Sequence, residues 1–385
     1  MANRLEIPAT GKHFISAPIR MWLVNEALPL WTTAGFDSLR GTFRERLTLR
    51  GEPILDVPLR LMVQARQVYA YATAARRGWM SGAGEQALRG ADAMISHWFE
   101  ADGDSGWVTA LNPDGKVADK TRDLYAHAFA LLGLANAYGL SNKPIYLDVA
   151  DRTMEFLDRQ MAAPAGGYLT CLPVSENGLR QNPHMHLLEG LLALHEVAPD
   201  RNYGERARGV LRLFETRLLQ RTGIVAEYFD EHWNPEPDDR GKLFEPGHHY
   251  EWVWLLDRAA RLLGTQLPEQ ARDLIDMARL GCTDNGIVRA EVRSDGLVTD
   301  ASYRLWPHTE AVKAALTAIN VLAPAIAADK MLDVMWTNFL LPACSGGWHD
   351  RFDADGNLAV NFMPASSLYH IVCALSEYEV RRPML

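Results

Sequence analysis

The stretch FEPGHHYEWVWLL, residues 244–256, sets a proline-glycine corner, two adjacent histidines and a glutamate ahead of a run rich in tryptophan and leucine. Proline is favoured at the first position of a helix, where its missing N–H would have had no intrahelical partner, so the stretch reads as a helix start. Five other segments begin in a similar way: DVPLRLMVQAR, DKTRDLYAHAF, RQNPHMHLLEG, RLWPHTEAVKA and MPASSLYHIVCAL. Between them come glycine-marked pieces at Gly35, Gly106, Gly167, Gly223, Gly286 and Gly347, mostly near sixty residues apart. Several continue into hairpin turn residues, as in Asn112-Pro113-Asp114-Gly115, Asp295-Gly296 and Asp355-Gly356.

Apolar residues recur at helical spacing nearly everywhere else, as in YLDVADRTMEFLDRQM. A unit of helix, glycine-marked loop and helix cannot cover its own apolar face, so successive copies must stack. Six copies give twelve helices. The closed arrangement is an all-α (α/α)6 barrel, six inner helices ringed by six outer ones, with short β-hairpin-like loops. Residues 1–385, 48% hydrophobic, are expected to form a single catalytic domain of this kind.

The net charge of −9 comes without a Lys/Arg-rich block, which excludes the footprint of a nucleic-acid binder. Cys171, Cys282, Cys344 and Cys373 are scattered without a CxxC pair and read as reduced cysteines. The opening MANRLEIPATGKHF has no apolar signal region, and no run reaches eighteen apolar residues. A cytoplasmic protein with no membrane partner is expected.

His186, His248, His308 and His370 are separated by 62, 60 and 62 residues and read as equivalent places in successive units. In a barrel such places converge on one axis. The same first turns supply Arg60, Asp123, Asn182, Glu251 and Glu310, and Tyr125, Trp252, Trp306 and Trp348 offer aromatic walls. The expected site is a polar-floored, aromatic-walled pocket of sugar size. His127, His195 and His249 read as structural; His249 stands about 100° around the helix from His248, so only one of that pair faces the axis. Arg60 could instead form a surface ion pair, and Glu310 could pair with Lys313 at i,i+3.

Imidazoles exchange protons near neutral pH in either direction, so two of them facing one carbon could remove and return a proton. A glycoside hydrolase would need two carboxyl groups flanking a bond, for which Glu251 with Glu310 or Asp123 are available. No HExxH or comparable local ligand pair is present, and no metal is expected.

The segments PGHxxEWxWLL at 246–256, RLWPxTExxKA at 304–314, QNPHMHLLEGLLA at 181–193, RDLYAHAFALLGLA at 122–135 and GGW…DG…YH at 346–370 together resemble the N-acylglucosamine 2-epimerase superfamily. The likeness runs over nearly the whole chain and is strongest to the D-mannose isomerase and related aldose–ketose isomerase branch. It implies an (α/α)6 barrel, no cofactor, a monosaccharide substrate, and a proton moved between C1 and C2 of an open-chain sugar through a cis-enediolate. It places the catalytic histidines at His248 and His370, with Glu251 beside the first, and sugar binding at Arg60, Asn182 and His186. Trp306, His308, Glu310 and Asp123 complete the expected binding set. His249 and His308 depart from the family pattern, which has a small or apolar residue and a glutamine there.

On this reading His370 carries the proton between C2 and C1, and His248, oriented by Glu251, acts as acid in ring opening and proton exchange among the oxygens. Arg60 would stabilise the enediolate. The expected reaction interconverts D-mannose and D-fructose, and D-lyxose and D-xylulose beside them. A sugar 2-epimerase acting on N-acetylglucosamine, mannose or cellobiose is the first alternative, and a glycoside hydrolase on the same barrel the second. Oligomeric state is not legible, a homodimer being the assembly to allow for.

Overall fold

Six helices close into an inner ring in the computed structural model, which describes residues 16–175, 178–267, 271–322, 326–341 and 343–382. MANRLEIPATGKHF and both ends of the expected domain lie outside or at the edge of those residues. The ring comprises Leu61–Arg76, Leu124–Ser141, Gln181–Val197, Pro246–Leu263, Leu305–Ala315 and Ser366–Arg381. Each helix packs on the next and the sixth on the first. In the second inner helix every residue from Ala126 to Ala137 is buried, as an all-round apolar helix demands. Small residues set the spacing: a Cβ on Gly190 would lie 2.8 Å from the Ala128 carbonyl oxygen of the neighbouring helix.

The outer ring is built from 16–33, Ala83–Trp98, 144–161, 203–218, 271–281 and 328–340. These helices carry a single apolar stripe. In Ala83–Trp98, Ala83, Ala87, Ala91, Met94 and Trp98 face inward while Glu85, Arg89, Asp92 and Ser96 face solvent. The twelve rods found among the described residues form the (α/α)6 barrel expected from the repeat, with a short extra helix at Ala318–Leu322.

Short strands form a collar where the inner helices begin. Arg122–Asp123 pairs with Cys171–Leu172, Leu179–Arg180 with Tyr228–Phe229, and Leu243–Phe244 with Arg289–Arg293. Arg46–Thr48 pairs with Phe362–Pro364 and links the last unit to the first. Each collar therefore ties the approach to one inner helix to the hairpin of the next unit, and all six inner N-termini open at one end.

The collar bonds fix a common register. Leu61, Leu124, Leu305 and Ala365 donate their N–H to Thr109, Thr170, Asp350 and Glu45 carbonyls respectively, at 2.9 to 3.0 Å. Counted from those residues, and from Gln181 and Pro246 in the other two units, the fourth position holds Gln64, His127, His184, His249 and His308 in the first five helices and the apolar Leu368 in the sixth. Every one of the five polar side chains accepts a loop N–H: Nε2 of His127 from Trp107 at 3.1 Å, of His184 from Tyr168 at 3.0 Å, of His249 from Val225 at 3.1 Å and of His308 from Val288 at 3.0 Å. Gln64 does the same for Phe43 through Oε1 at 2.8 Å. Nδ1 of His127, His184 and His308 donates back to the carbonyls of Asp123, Arg180 and Arg304, which makes Nε2 the lone-pair nitrogen and the rings neutral. Burial pushes all four histidines down to about 4.

This girdle corrects the expected histidine register. His308 belongs with His127, His184 and His249, completely buried, and it staples a loop to the fifth inner helix rather than facing a pocket. The recurring glycines are the other half of the same contact, for a Cβ on Gly106 or Gly167 would press to 3.0 or 2.9 Å from Nε2 of His127 or His184.

Candidate active site

Two residues further along each inner helix the side chain has turned through about 200° and points to the opposite side. The sixth position holds Arg66, Phe129, His186, Glu251, Glu310 and His370, one residue from each inner helix. Arg66, His186, Glu251 and His370 line a cavity of about 430 Å³ at the collar end of the ring, and Phe129 and Glu310 lie behind them. Arg60, Tyr125, Asn182, Glu245, His248, Arg304, Trp306, Asp350 and Arg351 complete most of its wall. His248, at the third position, enters from the side.

Trp306 stands between two histidines, its ring 5.0 Å from that of His248 and 5.8 Å from that of His370. Both histidines engage a buried glutamate through Nδ1. His248 donates to Glu227 Oε1 at 2.9 Å, and Glu227 also accepts the Glu245 N–H at 3.1 Å and Gln181 Nε2 at 3.0 Å. Gln181 is fixed in turn by Trp252, whose indole N–H donates to its Oε1 at 2.8 Å. His370 donates to Glu310 Oε1 at 2.8 Å. Nε2 is in each case the nitrogen left for the cavity.

The two pairs differ in charge. Burial alone would lower His248, but Glu227 and Glu245, with Glu251 further off, outweigh it and raise the ring to about 9, so His248 is a cation at neutral pH. His370 is held well below the ordinary histidine range by burial and by the positive charges of Arg66 and Lys313. His186, lowered to about 4 by burial, donates through Nδ1 to Glu189 Oε2 at 3.1 Å. Arg66 lies 4.2 Å over the Phe129 ring and 5.1 Å over Tyr369, and donates to the Tyr125 hydroxyl at 2.7 Å. Burial and the Glu310 charge raise Glu251 to about 8.

The expected residues thus separate. His248, His370, Glu251, Arg60, Asn182, His186 and Trp306 line the cavity. Arg60 does so at the rim, about half exposed and paired with Glu45. Asn182 Oδ1 is buried without a hydrogen bond. Glu251 makes no hydrogen bond to His248; Glu227, from the hairpin loop, takes the place expected for it. Glu310 sits behind His370 and against Lys313, the i,i+3 pair read from sequence, so no Glu251–Glu310 couple is presented to a glycosidic bond. Asp123 caps the second inner helix, accepting the Ala126 N–H at 2.9 Å, and lies outside the cavity. Trp348 stacks on Trp31 away from it.

The reading from sequence missed Arg66, Glu227, Glu245, Glu189, Arg304, Asp350 and Arg351. Arg66 was within reach, since it shares the register of His186 and His370. Glu227 was not, because a loop carries no such period. Three groups bring ligand atoms within 4.8 Å of one another: His186, Glu189 and Glu251; Glu227, Glu245 and His248; Glu251, Glu310 and His370. Glu227 is already engaged by Gln181 and the Glu245 N–H, Glu310 by Lys313 and Glu189 by His186 and Tyr369, so a divalent ion at any of the three would have to displace a partner.

A family model of N-acylglucosamine 2-epimerase (GlcNAc 2-epimerase) matches residues 41–374. The chain is 35% identical over 381 residues to a mannose-6-phosphate isomerase of Rhizobium meliloti (strain 1021), covering 95% of this chain and 97% of that one. It is 24% identical to a cellobiose 2-epimerase of Bacteroides fragilis, covering 87% and 90%. The solved structure of a D-mannose isomerase superposes with a TM-score of 0.82 at 21% identity, over 97% of this chain and all of that one, and shows the same fold. With its barrel, its histidine-flanked cavity and a family match over most of its length, the chain belongs to the N-acylglucosamine 2-epimerase family and is a sugar isomerase or epimerase.

Proposed function

We propose that the protein is an aldose–ketose isomerase interconverting D-mannose and D-fructose, working as a single catalytic domain. The observation that carries this is the pair of histidines flanking Trp306, one neutral and one cationic. A neutral base and a charged acid facing one substrate are what enolisation requires. His370 Nε2 takes the C2 proton of the open-chain aldose while His248 hydrogen-bonds the oxygens, leaving an enediolate. The proton then returns from His370 to C1 on the same face, and the O2 proton passes by way of His248 to O1, giving the 2-ketose. Arg66, deeper than Arg60 and free of any carboxylate partner among the described residues, supplies the charge beside the enediolate oxygens. Asn182 and His186 bind hydroxyls.

The relative at 35% identity is named for isomerisation and the epimerase relative, at 24%, is more distant, which supports the isomerase outcome. A 2-epimerase is the second reading, favoured if the cationic His248 reaches C2 from the face opposite His370. The rim arginines are paired, Arg60 with Glu45, Arg304 with Asp350 at 3.3 Å and Arg351 with Asp300 at 3.8 Å, and this balance suits a neutral sugar better than a phosphate ester. Purified protein incubated with mannose, mannose 6-phosphate and cellobiose tests all three points. Fructose from mannose is expected; glucose without fructose would establish the epimerase reading, and turnover of the phosphate ester in preference to mannose would reverse the substrate choice.

A further inference from the structure

Behind the cavity the barrel core holds an unusual amount of charge. Glu189, Glu251, Glu310 and Lys313 are all essentially without solvent exposure. Lys313 stands two turns along the fifth inner helix, its ammonium 2.5 Å from Glu310 Oε2, 4.0 Å from Glu251 Oε1 and 3.7 Å from the centre of the Trp254 ring. Burying an ammonium so far from water is costly unless it is paired, and here it meets carboxylates from two helices and an aromatic face.

The position of this charge matters more than its presence. Glu310 is held between two partners, with Lys313 on Oε2 and the Nδ1–H of His370 on Oε1. Burial raises the proton affinity of Glu310, and Lys313 is the charge that works against it. The chain from Lys313 through Glu310 to His370 ends at Nε2 in the cavity. On the other side of Trp306 Glu227 is backed by the Gln181 amide and a backbone N–H instead of an ammonium, and Glu245, which Arg304 and Arg180 face, adds negative charge.

We propose that Lys313 is a positioning residue that makes His370 the base: its ammonium keeps Glu310 an ionised acceptor for the Nδ1–H and opposes a second proton on the ring. This rests on the proton-transfer reading above. The groups around the pair act in both directions. Arg66 from the first inner helix and His186 from the third oppose protonation of His370, and Glu189 from the third favours it. Glu251 from the fourth and Cys373 from the sixth face Lys313 itself.

The test compares Lys313→Met, Glu310→Gln and the double variant, each checked for folding by near-UV circular dichroism and thermal unfolding. For Lys313→Met, kcat on the sugar substrate is expected to fall about 10- to 100-fold with KM held within about twofold, and the acidic limb of kcat/KM to move up by about one pH unit. Glu310→Gln should move that limb down. An unmoved limb in folded Lys313→Met would reduce Lys313 to a packing role and overturn the proposal. Should that variant not fold, because it leaves carboxylates buried without their cation, Glu310→Gln and the double variant decide. A limb at higher pH in the double variant supports the proposal, and coincident limbs overturn it. The ring of His370 is also followed by nitrogen-15 NMR in histidine-labelled protein. An upward move of its titration in Lys313→Met upholds the role of Lys313 even if no sugar is turned over, so failure of the isomerase reading and failure of this one are told apart.

Discussion

The fourth and sixth positions of the inner helices use one residue type for two purposes. His184 and His186 are separated by one methionine, yet His184 accepts a loop N–H and has no part in the cavity, while His186 lines it. His249 and His308 share the first task, and His370 the second. Between His184 and His308 on one side and His186 and His370 on the other, the difference lies in what faces Nδ1. A backbone carbonyl is a neutral acceptor that fixes a tautomer, and the ring then serves as a staple. A glutamate also sets charge and leaves Nε2 to a ligand. Histidine is thus no marker of function in this fold until its position within the turn is known.

The sharpest way to break the contrast is to remove the base. His370→Ala should lower kcat by about 10³-fold or more while leaving thermal stability close to that of the parent. His248→Asn should cost about 10²-fold and flatten the alkaline limb. Because His248 is active as the cation and is raised to about 9, activity should hold through neutral pH and fall only as pH rises through about 9. A limb near 6.5 in the parent would mean that Glu227 and Glu245 do not hold the charge.

The girdle should respond the other way. His184→Ala leaves the Tyr168 N–H unpaired and opens space between helix and loop, an expected loss of about 2–4 kcal/mol seen in denaturant midpoint, with kcat of the folded fraction kept. Equal effects on activity from His184→Ala and His186→Ala would erase the distinction. Acid makes a gentler probe. The girdle rings are lowered to about 4 when folded, so below the unfolded value near 6.5 the unfolded chain binds the extra protons. Stability is full above about pH 6.5 and declines as pH falls toward 4. His308→Gln, copying Gln64, should keep the staple and lessen that decline by at most about 1.4 kcal/mol per pH unit. The smallest effect belongs to Asp123→Ala, a lost cap of about 1 kcal/mol with KM unchanged.

Much of this was legible before any coordinates. Proline starts, hairpin turns and glycines at intervals near sixty residues led to six stacked units, because each unit has an apolar face it cannot cover alone. The register of the site was legible only in part. Spacings of 62, 60 and 62 residues grouped His308 with three pocket histidines, yet the units vary in length, and an offset of two residues turns a side chain to the far side of its helix. Register taken from each helix start brings in Arg66, Glu251 and Glu310 and leaves out both His308 and His248, the latter reaching the cavity from the third position. Glu227 had no period to betray it, since a hairpin loop places one side chain by its own path.

The sequence by itself determined the all-helical ring, through local periodicity and chain-wide repetition, and put His186, His248, His370 and Asn182 near the starts of its inner helices, where the family resemblance singled them out. Only the tertiary structure decided which glutamate stands behind which histidine, that Arg66 lies deeper than Arg60, and that Lys313 is buried against Glu310. Protonation depends on distances of a few ångströms between groups from different helices in a medium that screens them weakly, and no spacing along the chain encodes those distances.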